Sequence, residues 1–265
     1  MDNKPKIGIV SLGLIGGSIL KALYKKYDIF CYSTTCPEEA LKYTKNLSSS
    51  LGVLKDCDMV FVCSPIIKTL EILEKLQGIV RNDCIVADCA SVKSELLNKK
   101  FNYNFILSHP MAGIEKTGFE AGFADLFKGA KWLIEKNNKL LETIIADLGA
   151  IPHVIDMQKH DYMCAQISHL PMLLAYSLFC CADDDSKTIA SSGFRDMTRL
   201  ASNPTMSVDM LEFNSKNIEL ALAELLKKLD ILKNLSYDEK IKLFRGISTK
   251  RTQMYDENGK NVFNA

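Results

Sequence analysis

The stretch Lys6-Ile-Gly-Ile-Val-Ser-Leu-Gly-Leu-Ile-Gly-Gly-Ser18 decides the fold. Its β-branched run, Ile7 to Val10, reads as a buried strand that breaks into glycines. The apolar spacing Ile15, Ile19, Leu20, Leu23 then starts a helix. Strand, glycine turn and helix N-terminus together make a seat for a pyrophosphate. Glycines let the backbone approach, and the free N–H groups of the first helical turn point at the anion. In the G-x-G-x-x-G pattern the first position is Ser11, followed by Gly13 and Gly16. Taken alone, such a turn is also what close strand–helix packing requires.

Working outward, strands alternate with helices. Asp28–Tyr32 reads as a second strand, Met59–Cys63 as a third, Cys84–Asp88 as a fourth, Asn104–Ser108 as a fifth and Lys131–Glu135 as a sixth, with helices such as 67–77 and 138–148 between them. This alternation predicts an α/β fold, a doubly wound, Rossmann-like parallel sheet in the N-terminal part. Ligands on such sheets sit beyond the carboxyl ends of the strands. The ends here are polar: Ser33, Ser64, Ser91 and His109.

After Pro152 the strand pattern gives way to long helical patterns over 161–181, 207–235 and 237–254. Ile218, Leu222, Leu225, Leu229 and Leu232 fall on one stripe of the middle one. The expected organisation is a dinucleotide-binding domain over 1–152 and an all-helical domain over 153–265. Helices this long in so small a domain predict a homodimer through the C-terminal helices.

Composition narrows the partners. Among 265 residues the formal net charge is +1, with no long basic run, which argues against nucleic acid. No apolar run reads as long enough to cross a bilayer, and Met1-Asp-Asn-Lys-Pro5 does not read as a signal peptide. The nine cysteines form no C-x-x-C pair, so neither a zinc ribbon nor a thioredoxin-type motif is expected. Buried free thiols in a reducing cytoplasm are the expected arrangement.

Several short motifs carry chemistry. Ser108-His109-Pro-Met-Ala-Gly113 puts an imidazole just past the expected fifth strand, where it can take a proton from a substrate hydroxyl. Ala90-Ser91-Val-Lys93 follows the fourth strand and offers a hydroxyl and an ammonium, although Ser91 could equally cap a helix. Gln166-Ile-Ser-His169-Leu-Pro171 sets a histidine inside an apolar helix, where a core role is the plain reading. Ser191-Ser-Gly-Phe-Arg195-Asp-Met-Thr-Arg199 holds two arginines suited to bidentate binding of carboxylates, or to a solvated loop.

Together Gly13-Leu14-Ile15-Gly16-Gly-Ser18, Ala90-Ser-Val-Lys93, His109-Pro-Met-Ala-Gly113, His160-Asp161, Ser168-His-Leu-Pro171 and Gly193-Phe-Arg-Asp-Met-Thr-Arg199 resemble the prephenate/arogenate dehydrogenases of tyrosine biosynthesis. The motifs occur in the family's order and span most of the chain. The resemblance implies oxidative decarboxylation of prephenate to 4-hydroxyphenylpyruvate. The ring C4 hydrogen leaves as hydride to NAD(P)+, the C4 hydroxyl loses its proton and the C1 carboxylate leaves as carbon dioxide. No metal is needed, because aromatisation drives the step. By the same resemblance His109 is the base at the C4 hydroxyl and Ser91 orients that group. Arg199 holds the ring carboxylate, His169 lies by the pyruvyl side chain and Arg195 supports. The cofactor would meet Ser11, Gly13, Leu14, Ile15, Gly16, Ser33, Thr34, Thr35 and Ser64. Where the family often has a second histidine after the His-Leu-Pro match, this chain has Met172.

Two departures matter. Ser11 stands in the first glycine position, and the second strand ends in Tyr32-Ser33-Thr34-Thr35 with neither acid nor arginine. The group that repels a 2′-phosphate is missing, so NADP+ acceptance is expected. Alternatives are an arogenate dehydrogenase, another Rossmann reductase with a helical dimer domain, or a dinucleotide-sensing regulator without turnover. With the sequence closing at Phe263-Asn-Ala265, any tyrosine inhibition is expected to act at the active site.

Overall fold

The computed structural model describes residues 4–255 and 262. The readings of the two chain ends rest largely on residues 1–3 and 263–265, outside the described residues.

In chain order come β1 (Lys6–Val10), α1 (Leu14–Leu23), β2 (Asp28–Tyr32), β3 (Asn46–Ser48), β4 (Met59–Val62), α2 (Ile66–Leu76), β5 (Ile85–Asp88) and β6 (Asn104–Ile106). These six strands are all parallel, in the order β3-β2-β1-β4-β5-β6. The sheet is of the expected doubly wound kind, and its order is the one common to dinucleotide-binding sheets. It reverses between β1 and β4, so a ligand crevice opens outside the carboxyl ends of those two strands. Alternation along the strands explains the apolar runs. Ile7, Ile9, Met59 and Phe61 share a core with Ile19, Leu20, Phe127 and Trp132. Val10, Val60 and Val62 join the other core with Leu54, Leu73 and Leu76.

Next follow β7 (Ser108–Pro110), β8 (Lys131–Ile134), α3 (Lys139–Asp147) and β9 (Ile151–Val154). They form a second, three-stranded sheet in which β7 is antiparallel to β8 and β9 parallel to it. Two expectations are corrected here. The fifth strand stops at Ile106 because the Ser108 N–H turns to the Asp88 carboxylate (3.0 Å) and Glu135 donates to the Leu107 carbonyl (2.9 Å). His109 is therefore a strand residue, paired opposite Leu133, and not a loop residue past a strand end. The 131–135 run is a strand, but it belongs to the second sheet. The short β3 and β9 escape sequence reading, and β9 crosses the expected divide at 152/153.

The remaining chain is helical: α4 (Met157–Cys164), a π-helical turn Ala165–His169, α5 (Leu170–Cys181), α6 (Asp184–Thr188), α7 (Ser192–Thr198), α8 (Pro204–Phe213), α9 (Ser215–Asn234) and α10 (Tyr237–Met254). Pro171 has no N–H to donate, and the turn before it widens so that Leu170 donates to the Ala165 carbonyl five residues back. The helix expected over 207–235 is two helices broken at Asn214, whose side chain is used in the site described below. The 25-residue stretch Met157–Cys181, with a mean hydropathy of 1.3 in its most apolar window, is long and apolar enough to cross a membrane by length and composition. That corrects the expectation of no such run. Its polar residues His160, Asp161 and His169 are buried here and hydrogen-bonded among the helices and to the 93–94 loop.

Candidate active site

The glycine turn closes on itself tightly. Ser11 adopts φ +70°, a left-handed conformation that explains why glycine suits this position, and its N–H donates to the Tyr32 carbonyl at 2.8 Å. Gly16 packs so closely that a Cβ would lie 2.0 Å from the Ser11 carbonyl oxygen. A Cβ on Gly13, by contrast, would meet nothing within 4 Å. Open space lies before the first turn of α1, where Leu14, Ile15 and Gly16 carry N–H groups ahead of the first intrahelical bond from Gly17 to Gly13. No acidic residue sits in that turn. The geometry fits a dinucleotide pyrophosphate.

At the end of β2, Ser33 is buried; its hydroxyl lies 3.1 Å from that of Thr35 and its N–H donates to Ser48. Thr34 and Thr35 are exposed, so they present the hydroxyls at this strand end. Ser64, after β4, is buried against Thr69 with hydroxyls 3.1 Å apart.

Across the crevice, a buried network fixes the loop after β5 and the start of β7. The Lys93 ammonium is fully buried, paired with the Asp88 carboxylate, and donates to the carbonyls of Ala90 (2.7 Å) and Ser108 (2.6 Å). Asp88 also accepts from the Ser108 and Ala90 N–H groups, each at 3.0 Å. Ser108 in turn accepts from the Trp132 indole at 3.1 Å. Every polar group has a partner, which is the condition for a buried ion pair to be tolerated. Ser91 lies in this clamped loop, half-buried, and its hydroxyl bonds to no described residue. The loop forms turns and no helix, so Ser91 caps nothing.

Because side chains alternate along β7, Ser108 and Pro110 face the network while the half-buried His109 faces α4. There His109 Nδ1 lies 3.0 Å from His160 Nε2, and His160 Nδ1 lies 2.7 Å from Asp161 Oδ1. Asp161 accepts backbone N–H bonds from Lys93 (2.7 Å) and Ser94 (2.8 Å). Burial pushes its pKa up, but the bonds from His160 and the two backbone groups outweigh that and hold it below the usual carboxylate range. A carboxylate only accepts, so His160 Nδ1 carries a proton, and a neutral His160 has only a lone pair at Nε2. His109 must then donate from Nδ1, which leaves a lone pair on Nε2. Burial, aided by the Lys93 charge and the neighbouring histidines, holds the His109 pKa well below its ordinary value, so the ring is unprotonated at neutral pH.

The widened turn in the same helix brings His169 to Asn214, whose Nδ2 lies 2.9 Å from His169 Nδ1 and donates to the Asp161 carbonyl at 2.8 Å. Burial lowers the His169 pKa to about 4. The structure thus joins His109, His160, Asp161, Asn214 and His169, from both parts of the chain. Arg195 and Arg199 stand apart at α7, both exposed. Arg195 pairs with Asp196 at 3.2 Å, and no ion pair joins Arg199 to a described residue. Asp88 and Asn214 sit in none of the motifs legible in the sequence, because their partners Ser108 and His169 lie 20 and 45 residues away.

A parallel sheet in this strand order, an open glycine turn at its switch point and a buried titratable cluster joining the sheet region to α4 fit a nicotinamide-dependent dehydrogenase with a helical second part. The family described as prephenate dehydrogenase, nucleotide-binding domain, matches residues 33–150, and prephenate dehydrogenase, dimerization domain, matches 156–247. The chain is 30% identical over 253 residues to the prephenate dehydrogenase of Lactococcus lactis, covering 82% of this chain and 70% of that protein. It is 27% identical to that of Bacillus subtilis, covering 94% and 75%. Among solved structures it resembles prephenate dehydrogenase from A. aeolicus in complex with hydroxyphenyl propionate and NAD+ (TM-score 0.81, 27% identity, 94% of this chain and 98% of that one). Synechocystis arogenate dehydrogenase is similar to the same degree (TM-score 0.80, 27% identity, 94% and 99%). The chain belongs to the prephenate dehydrogenase family. The first matched span begins after the glycine turn, so the pyrophosphate seat at 11–16 rests on its geometry.

Proposed function

We propose that this chain oxidises and decarboxylates prephenate to 4-hydroxyphenylpyruvate, with His109 as the base. The observation that carries the reading is the hydrogen-bonded line from Asp161 through His160 to His109, which leaves a lone pair on His109 Nε2. A nicotinamide cofactor seated by its pyrophosphate at the glycine turn of Ser11, Gly13 and Gly16 would supply the hydride acceptor for the ring hydrogen. His109 Nε2 accepts the C4 hydroxyl proton, and the charge that develops on its ring is shared through His160 with the Asp161 carboxylate. His160 and Asp161 act through His109 and are positioning residues. Ser91, with a hydroxyl free to bond, orients the C4 hydroxyl. His169, which accepts from Asn214 at Nδ1 and so carries its proton on Nε2, faces the pyruvyl side chain. The exposed guanidinium of Arg199 meets the ring carboxylate, with Arg195 in support.

For the cofactor, the missing acid after β2 supports acceptance of NADP+ as well as NAD+, with Thr34 and Thr35 offering hydroxyls to a 2′-phosphate. Exposed Leu226, Leu229 and Ile231 on α9 and Phe244 and Ile247 on α10 support a homodimer through these helices. Nine free thiols support a reducing, cytoplasmic setting. The test supplies prephenate or arogenate with either cofactor and follows reduced nicotinamide together with product. Prephenate should give the higher kcat/KM. A higher value with arogenate makes this an arogenate dehydrogenase, and no turnover with either ends the reading.

A further inference from the structure

The same side of His109 that meets His160 also meets a thiol. Cys164 Sγ lies 3.5 Å from His160 Nε2 and 4.0 Å from His109 Nδ1, and the two nitrogens are 3.0 Å apart. These three atoms form one triangle of ligand type, with His160 and Cys164 buried and His109 half-buried. Zinc bonds of about 2.0–2.1 Å to nitrogen and about 2.3 Å to sulfur, set tetrahedrally, put nitrogens about 3.3 Å apart and nitrogen about 3.6 Å from sulfur. Every edge of the triangle is within about half an ångström of those values. Asp161 adds a second feature of such sites: its carboxylate holds the far nitrogen of His160, which fixes the ring and raises its basicity as a ligand. Imidazole and thiolate together select a borderline-soft divalent cation over magnesium or calcium.

We propose that His109, His160 and Cys164 form an inhibitory site for a thiophilic divalent cation of the zinc type. Binding breaks the Cys164 S–H bond and releases that one proton to solvent, while the Nδ1 proton of His109 moves to Nε2 as the metal takes the Nδ1 lone pair. Nε2 then has no lone pair for the substrate hydroxyl. The site does not depend on what the enzyme turns over; its inhibitory effect rests on His109 being the base. Because the Cys164 thiol gives up its proton on binding, binding strengthens as pH rises.

The experiment uses the full chain carrying Cys180→Ser and Cys181→Ser, which removes the adjacent pair of exposed thiols. Cobalt(II) titration should give one equivalent of thiolate-to-cobalt charge-transfer absorption, with one proton released per ion and displacement by zinc. Zinc should lower kcat, with recovery on adding a chelator. Adding Cys164→Ala should leave turnover in the metal-free enzyme, abolish the charge-transfer band and raise the half-inhibiting zinc concentration about tenfold or more. Absence of the band, or Cys164→Ala inhibited at an unchanged zinc concentration, overturns the site. A normal band and proton release in an enzyme that turns over neither prephenate nor arogenate leaves the site standing and removes the functional reading instead.

Discussion

The sheet region and the helical region bury their apolar residues in opposite ways. The sheet closes two continuous cores, one on each face, and Phe61, Trp132, Ile7 and Ile9 are fully buried within a single chain. Among the described helical residues the core cluster has only Ala165, Leu170, Ile218 and Ala221 buried, while Leu229 and Phe244 stay about half exposed (50% and 51%). One region is finished by its own sequence, and the other leaves large apolar side chains exposed, the face proposed above for a second copy. The hydrogen-bonded histidine line spans the boundary between them: His109 comes from the sheet region, and His160 and Asp161 from α4. In the proposed mechanism the sheet region supplies the base, and α4 of the helical region sets which of its nitrogens is free.

The sharpest break in that division of labour is His109→Asn. It leaves both cores untouched and removes the base, so kcat should fall about 10²–10⁴-fold while KM and melting temperature change little. Near-normal kcat would make His109 a structural strand residue and end the mechanism. Arg199→Ala, in the helical region, should behave in the opposite sense. Losing a charge-assisted bond present both before and during hydride transfer should raise KM by roughly one to two powers of ten with a smaller change in kcat. An unchanged KM places the carboxylate elsewhere.

Leu229→Lys tests whether the exposed helical face is covered by a second copy. A charge at a buried interface anchor costs about 2 kcal/mol or more, so sedimentation should show the dimer dissociation constant raised roughly 30-fold or more. Dinucleotide binding by the sheet region should persist. A wild-type monomer would show that the helical region is stable with its thin core alone.

The pH dependence of stability separates the regions more gently. His169 titrates near 6.5 when unfolded and at about 4 in the fold, so on acidification the unfolded chain takes up the proton first. Stability present above pH 6.5 is therefore lost as pH falls towards 4, by about 2 kcal/mol at pH 5. Chemical denaturation at pH 7 and pH 5 should show this loss in the wild type, and His169→Asn should remove about that much of it. An identical slope in the variant would mean that the buried ring does not carry the effect.

Repeating local signals settled a large part of this protein in its sequence. The β-branched run at Ile7–Val10, the glycines after it and the alternation of strands with helices specify the parallel sheet and its ligand-binding edge, because side-chain period and turn chemistry act over a few residues. The motifs around Ser91, His109 and His169 were legible for the same reason, as was the change to helices in the second half. Tertiary structure decided what depends on distant partners. Ser108 leaves the parallel sheet because Asp88, twenty residues earlier, takes its N–H and Glu135 donates to the Leu107 carbonyl beside it. Asp161 reaches the backbone of Lys93 across 68 residues, and Asn214 breaks a helix while bonding His169, 45 residues away. Ser33 looks available at a strand end, yet it is buried by its bonds to Ser48 and Thr35. Periodicity says which face of an element is apolar, but only packing says which polar atoms must find one another inside. That pairing fixes the proton on His109.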